Sequence, residues 1–272
     1  MNPVRSSHVH GFARLALPCI VVAALATTAA PKIHAASFDE ATERYRGLMI
    51  ADMDRALAGA QTLRDRIKAN DIPGAKKAWI DARIGWERSE VFTSGFIPDL
   101  DDAIDAWPDA VTGFHGMEVK LFGANSGNVG DEMDKLIVHL TDADERIRTM
   151  QLTPQGLLNG VTRLAYEIGD SKVDGGESRL SGTSLDDMRN NADGIELAYR
   201  TLFASLLQAS DAKLAERVGE HISGLKALLE VRDLRSIDPD KLLKASEGLV
   251  VALQAAGPKL GLATPTLEGT AK

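Results

Sequence analysis

The chain has 272 residues, of which 39 are acidic and 31 are Lys or Arg, so its formal net charge is −8. This acidic balance argues against nucleic acid as a partner and favours cations or neutral ligands. The single cysteine, Cys19, lies in the N-terminal segment. The rest of the chain therefore offers neither disulfides nor thiolate ligands, and any metal site must be built from oxygen and imidazole.

The N-terminal segment has the features of an export signal. Arg5 and Arg14 precede an apolar run that is too short to span a bilayer as an anchor, and the small residues near Ala36 suit a signal peptidase. We therefore predict export to the periplasm and a mature chain that does not span the membrane. The predicted organisation is a signal peptide at 1–36, a single helical domain at 37–258 and a flexible tail at 259–272.

Apolar residues recur every three or four positions along almost all of the remaining chain, which predicts α-helices, and no stretch favours a strand. Prolines just after capping-type residues mark several helix starts, at Pro73, Pro154 and Pro239. The short connections are typical of helical bundles, so the fold class is all-α. The predicted helices are 38–69, 73–92, 111–122, 130–149, 154–169, 184–208, 211–231 and 239–256.

Two longer segments interrupt the helical pattern. The first, "FIPDLDDAIDAWP" at 96–108, is acidic and has a proline near each end. The second, at 170–183, is rich in glycine and serine. Long loops in compact helical domains are often functional, so both segments are candidates for a binding site.

Two pairs of polar residues flank the acidic segment. Glu87 and Glu90 precede it, and His115 and Glu118 follow it; the three-residue spacing places each pair on one face of a helix. Two helices that each contribute such a pair can form a carboxylate-bridged metal site in a bundle core. On spacing alone, a role without metal is favoured for both: Glu87 and Glu90 would form a solvated face, and His115 and Glu118 a local hydrogen-bonded pair.

The donor types limit the metal without choosing it. Carboxylates with one imidazole suit iron, manganese, zinc or calcium, whereas Cu(I) would need sulfur ligands. The chain also lacks a His-Glu-x-x-His motif and a Gly-x-Ser-x-Gly elbow after a strand. We therefore assign no catalytic residue and predict a binding protein rather than an enzyme.

Three motifs in the same order, "GWERSE", "PDLDDAID" and "GFHGME", resemble the imelysin-like family, and the resemblance covers essentially the whole mature chain. It implies a bilobed fold of two four-helix bundles with a metal site around the His-x-x-Glu motif. Only the leader precedes the first helix, so the chain resembles the single-domain form of the family, which has no cupredoxin domain. Matched position by position, the implied metal ligands are His115, Glu118, Glu87, Glu90, Asp102 or Asp105, and Glu177.

The resemblance implies two kinds of function. The family was once classed among peptidases, but it includes a periplasmic iron-uptake component, so this chain would bind an iron-type cation and present it to an inner-membrane importer. Other members bind alginate, which makes an acidic polysaccharide, with or without a bridging metal, the alternative ligand. Basic and aromatic residues that could contact such a polymer are Arg83, Arg88, Lys120, Arg179 and Trp107. Because the acidic ligands are visible and the basic groove is inferred, the sequence favours the metal.

Overall fold

The computed structural model describes residues 35–106, 111–173 and 177–267. Within these ranges all regular structure is helical, which confirms the all-α prediction. No helix within these ranges combines the length and apolarity that crossing a membrane would require. The α-helices are α1 (Ala35–Lys68), α2 (Ile72–Phe96), α3 (Pro98–Asp105), α4 (Gly113–Glu118), α5 (Gly130–Thr149), α6 (Pro154–Asp170), α7 (Ser184–Ala198), α8 (Ala204–Ser210), α9 (Ala212–Leu229) and α10 (Pro239–Lys259).

Three short segments of other helical types join these elements. A π-helical turn, Val119–Gly123, continues α4, and a second one, Tyr199–Phe203, connects α7 to α8. A 3₁₀ turn, Leu234–Ser236, precedes α10. The eight predicted helices are therefore all present, and a π turn divides the predicted helix 184–208 into α7 and α8.

The acidic segment differs from its prediction as a loop. The structure extends α2 to Phe96 and then forms α3, which begins at a proline and has Asp99 and Asp101 in its first turn. Proline and acidic side chains both favour the start of a helix, and Leu100 and Ile104 bury one face of α3. The segment is therefore a short helix whose last residue, Asp105, faces inward.

The helices pack as two four-helix bundles, as predicted. The first bundle contains α1, α2, α4 with its π turn, and α5; the second contains α6, the α7–α8 pair, α9 and α10. Helix α2 also packs on α6 and α7, so it joins the two bundles. Residues carried by this part of α2 consequently lie at the junction.

Glycines allow α6 and α7 to approach α2 closely. A Cβ atom at Gly160 would lie 1.8 Å from the carbonyl oxygen of Val91, and one at Gly194 would lie 2.4 Å from that of Arg88. Real Cβ atoms do not approach this closely, so any other residue would push the helices apart. The contacts position the second bundle against the stretch of α2 that contains Glu87.

Helix α4 is fixed between α2 and the end of α3. Gly113 has a φ of +65°, and a Cβ atom there would lie 2.2 Å from the carbonyl oxygen of Ile104. Trp79 Nε1 donates a hydrogen bond of 3.0 Å to the carbonyl oxygen of Phe114, and the two rings pack edge to face. These contacts place His115 at the junction of the bundles.

Both ends of the predicted organisation reach beyond the described residues. The predicted signal peptide lies outside them apart from Ala35 and Ala36, which begin α1, and residues 268–272 of the predicted tail also lie outside. The described part of the tail packs back on the bundle: Leu260 is buried, and Ala263 N donates to Gln155 Oε1 over 2.8 Å. These contacts argue against the predicted flexibility at these positions.

Candidate metal centre

A group of buried charged and polar side chains lies where α2 meets the other helices. Most of its members are less than 10% exposed, although most of the buried residues in the protein are apolar. We call this group the buried charge cluster; it contains Arg83, Glu87 and Glu90 of α2, Asp105 of α3, His115 and Glu118 of α4, Lys172 and Glu177 after α6, and Asp187 and Asn191 of α7.

Two sets of three residues in the cluster bring potential ligand atoms within 4.8 Å of one another. One, which we call the imidazole triad, is Asp105, His115 and Glu177. The other, the carboxylate triad, is Glu87, Glu90 and Asp105. Asp105 belongs to both triads. The last residue of α3 therefore lies close to a member of each residue pair that flanks the acidic segment in the sequence.

The imidazole of His115 faces the other members of its triad. Its Nε2 atom lies 3.2 Å from Asp105 Oδ1 and 4.0 Å from Glu177 Oε1. The first distance is that of an ion pair, and neither His115 Nε2 nor Asp105 Oδ2 makes a hydrogen bond of regular geometry. A buried polar atom without a partner costs about 1–3 kcal/mol, so a cation at this position would satisfy both atoms.

Glu118 lies on the opposite side of the imidazole. Its Oε2 atom is 3.4 Å from His115 Nδ1, while its Oε1 atom accepts hydrogen bonds of 2.7 Å from both the amide and the hydroxyl of Ser181. Glu118 is thus placed to orient the ring, as carboxylates behind metal-binding histidines do. In this geometry the His-x-x-Glu motif supplies one triad member and its support, whereas the sequence suggested two ligands.

Arg83 is an internal counter-ion of the cluster. Its guanidinium lies 2.5 Å from Asp105 Oδ1 and 3.3 Å from Asp187 Oδ2, and it also pairs with Glu87. The Arg83 side chain is only 1% exposed, so it cannot contact a polymer at the surface. This burial argues against the polysaccharide-binding role predicted for Arg83.

Lys172 provides the second internal cation. Its Nζ atom lies 2.9 Å from Glu90 Oε2, 3.1 Å from Glu177 Oε1 and 3.4 Å from Glu87 Oε2. The Asn191 amide adds hydrogen bonds of 2.9 Å to Glu87 Oε2 and 2.6 Å to Glu90 Oε2. The glutamates of the carboxylate triad are therefore already neutralised, unlike the unpartnered atoms of the imidazole triad.

Negative charge is in excess within the cluster. Among the described residues it contains six carboxyl groups, which face two permanent cations, Arg83 and Lys172, and one imidazole. Burial and neighbouring carboxylates raise the pKa of Glu90, and burial also raises that of Glu177. Each shift reflects the cost of keeping like charges together out of water. A bound cation would lower this cost.

Asp105 and His115 support each other's charged forms. Although burial opposes the charge, Arg83 and His115 hold the pKa of Asp105 well below its usual value. Burial likewise opposes the imidazolium, yet the Asp105 carboxylate raises the pKa of His115 to about 9. An incoming metal would therefore displace a proton from His115, and oxygen ligands with one imidazole suit iron, zinc and manganese equally well.

The remaining predicted residues lie outside both triads. Asp102 is exposed, and Trp107 lies outside the described residues. Lys120 pairs with Glu132, whereas Arg88 and Arg179 line separate cavities of about 480 and 700 Å³. The structure does not bring these basic residues together in one groove.

Sequence reasoning missed three members of the cluster. Asp187 and Asn191 are four residues apart on α7 and interrupt its buried face, a polar stripe that could have indicated their role. Lys172 gave no such signal, because it stands alone in a loop rich in glycine and serine. Only the fold shows that it reaches Glu87 and Glu90 on a helix far away in the sequence.

The fold and the site define an all-α protein of two helical bundles with a buried acidic centre between them. The sequence model of the imelysin family, which is also labelled a peptidase family, matches residues 41–111 and 109–256. The chain therefore belongs to the imelysin family.

Two relatives are similar to this chain over most of its length. An Efem/EfeO family lipoprotein of Staphylococcus haemolyticus is 30% identical over 206 residues, which cover 72% of this chain and 71% of the relative. The iron uptake system component EfeO of Escherichia coli O157:H7 is 31% identical over 190 residues, which are 66% of this chain but 50% of EfeO. The chain thus spans about half the length of EfeO.

A solved structure shares the fold. The crystal structure of an iron-regulated protein A precursor from Parabacteroides distasonis superposes with a TM-score of 0.65, covering 86% of this chain and 97% of the other. The two sequences are 16% identical, so the likeness concerns the fold alone.

Proposed function

We propose that this protein binds an iron ion at the imidazole triad as a component of an iron-uptake system. The observation that carries the proposal is the convergence of Asp105, His115 and Glu177, whose potential ligand atoms lie within 4.8 Å of one another. His115 Nε2 and Asp105 Oδ2 are also buried without a hydrogen-bond partner. The excess of carboxyl groups in the cluster supports a cation at this position. The relatives named for iron uptake support iron over the other metals that the ligands would accept.

The cellular role follows from the same relatives. One is named a lipoprotein and the others components of an iron uptake system, so we propose an exported protein that presents iron to an inner-membrane importer. In this role the iron is cargo, and the centre serves to bind and release it. A binding role also agrees better with these names than does the peptidase label of the family.

The acidic-polysaccharide alternative has less support. It requires a shared basic surface, but Arg83 is internal, and Arg88 and Arg179 lie in different cavities. Arg179 shares its cavity with three other arginines, Arg189, Arg232 and Arg235. Of this alternative, the geometry therefore supports only a local contact with an anion.

Calorimetric titration with ferrous iron under anaerobic conditions tests the proposal. We expect His115→Ala to weaken binding by more than about 100-fold, since loss of a metal ligand lowers the affinity more than loss of a group that supports a ligand. Glu177→Gln should also weaken it. His139→Ala, which removes an imidazole from α5 outside the cluster, is the matched control and should bind like the native protein. Native affinity in His115→Ala would refute the proposed site.

A further inference from the structure

Two members of the carboxylate triad, Glu87 and Glu90, are paired with a side-chain cation. The ammonium of Lys172 contacts an oxygen of Glu90 and of Glu87 and also reaches Glu177, which belongs to the imidazole triad. Three carboxylate oxygens from two parts of the fold thus surround one positive charge. This is the arrangement expected around a metal ion, with longer distances because the cation is an ammonium.

The two triads also adjoin one another. They share Asp105, whose Oδ1 contacts Arg83 and lies near His115, while its Oδ2 has no partner. Carboxylates from facing helices commonly bridge two metal ions in bundle cores. The cluster therefore contains two adjoining groups of acidic side chains, one around the imidazole of His115 and the other around the ammonium of Lys172.

We propose that Lys172 is a built-in cation that holds the second of two adjoining cation positions, so that the native protein binds one metal ion and a neutral residue at 172 opens a site for another. The inference rests on the proposed function, because it takes the imidazole triad as the first site. It makes Lys172 the residue that sets the number of ions bound.

The surroundings of Lys172 favour its staying in place when the first ion binds. Its side chain is 8% exposed, and withdrawal of the ammonium would leave Glu90 buried without a counter-charge and Glu87 with Arg83 alone. Asn191 would still donate to both glutamates, but a neutral amide cannot replace the charge. In Lys172→Met, a second metal ion would supply what the ammonium supplied.

Metal stoichiometry provides the main test. Native protein, Lys172→Met and Lys226→Met are equilibrated anaerobically with ferrous iron, and bound metal per chain is measured by elemental analysis and calorimetry. Lys226 is the matched control, because it also pairs with two carboxylates, Asp193 and Glu196, outside the cluster. We expect one ion in the native protein and in the control, and two in Lys172→Met.

The outcomes separate the two proposals. One ion in all three proteins would overturn the role of Lys172 and leave the proposed function intact. No ion in the native protein would instead refute the proposed function. Lys172→Arg, which keeps the charge, should bind one ion like the native protein.

A measurement on the native protein tests whether Lys172 stays in place, even if Lys172→Met fails to fold. An amine-directed acetylating reagent is applied with and without ferrous iron, and modified lysines are located by mass spectrometry. Lys172 should stay protected in both states, whereas Lys241, whose side chain is 71% exposed, should be modified in both. Modification of Lys172 on metal loading would show that the ammonium gives way to the ion, and would overturn the inference.

Discussion

Asp105 connects the two halves of the candidate centre. It ends α3, it contacts Arg83, and it contributes an oxygen to each triad. The neighbouring Asp102 is exposed and belongs to neither triad.

Glu118 is predicted to support His115 without binding the metal itself. Glu118→Gln keeps the size of the side chain and an oxygen that can accept from Ser181, but it removes the charge beside His115 Nδ1. Metal affinity measured by calorimetry should fall by about 10–100-fold, as is typical when the partner of a metal-binding histidine is altered. This loss should be smaller than that in His115→Ala.

The control for this variant is Glu132→Gln. Glu132 pairs with Lys120 on the surface beside α4, so the substitution removes a carboxylate nearby without touching the imidazole. Its affinity should match that of the native protein. If Glu118→Gln instead lost binding as completely as His115→Ala, Glu118 would have to be a ligand.

At the level of single residues, the sequence indicated His115 and the acidic members of the buried charge cluster other than Asp187. The pairs on α2 and α4 were visible from their three-residue spacing, and the family motif pointed to Glu177 and the aspartates. The counter-charges were not visible, because Arg83 and Lys172 occur in patterns that are ordinary for solvated residues. Their burial results from tertiary packing, which no local pattern encodes.

Among the helices, α2 has the strongest influence on the centre. It contributes three residues of the buried charge cluster, and it packs on helices of both bundles. The close approach of α6 depends on Gly160, where a Cβ atom would overlap the carbonyl group of Val91. Displacement of α6 would also move the start of the loop that carries Lys172.

Gly160→Ala is therefore predicted to destabilise the protein. Overpacking of a tight contact typically costs about 1–3 kcal/mol. The free energy of unfolding, measured by urea denaturation, should therefore fall by at least about 1 kcal/mol. Metal affinity should fall as well, because Glu177, which follows α6, would shift relative to Asp105 and His115.

Gly224→Ala in α9 provides the matched control. A Cβ atom at Gly224 meets nothing within 4 Å, so this substitution should be neutral or stabilise the helix by up to about 1 kcal/mol. Equal stability of the Gly160→Ala and Gly224→Ala proteins would contradict the close packing of α2 and α6.

At the level of helices, the sequence predicted most of the fold. The ends of α5 match the prediction, since the apolar period and the flanking polar residues agree. The sequence did not reveal α3, because four aspartates within eight residues oppose a helix by propensity. Tertiary burial of Leu100 and Ile104 stabilises it, together with the acidic residues at its N-terminus.

Over the whole molecule, the centre combines residues from Arg83 to Asn191, which span five parts of the chain. Folding must therefore bring six carboxyl groups together out of water, against the two permanent cations and one imidazole already described. Such a centre is expected to oppose folding in the absence of a ligand and to favour it when a cation is bound. Metal binding and stability should be linked.

This linkage gives the prediction for the intact protein. A ligand that binds only the folded state at 100 times its dissociation constant stabilises it by about 2.7 kcal/mol. For a domain of this size, this corresponds to a rise in Tm of roughly 5–10 °C. Manganese(II), which is redox-stable, should produce such a rise in calorimetry, and EDTA should reverse it.

The rise should be smaller at pH 5.5 than at pH 7.5, because protons compete with the metal for carboxylates and imidazole. His115→Ala should show little rise at either pH, and an equal rise in that variant would place the bound ion away from the imidazole triad.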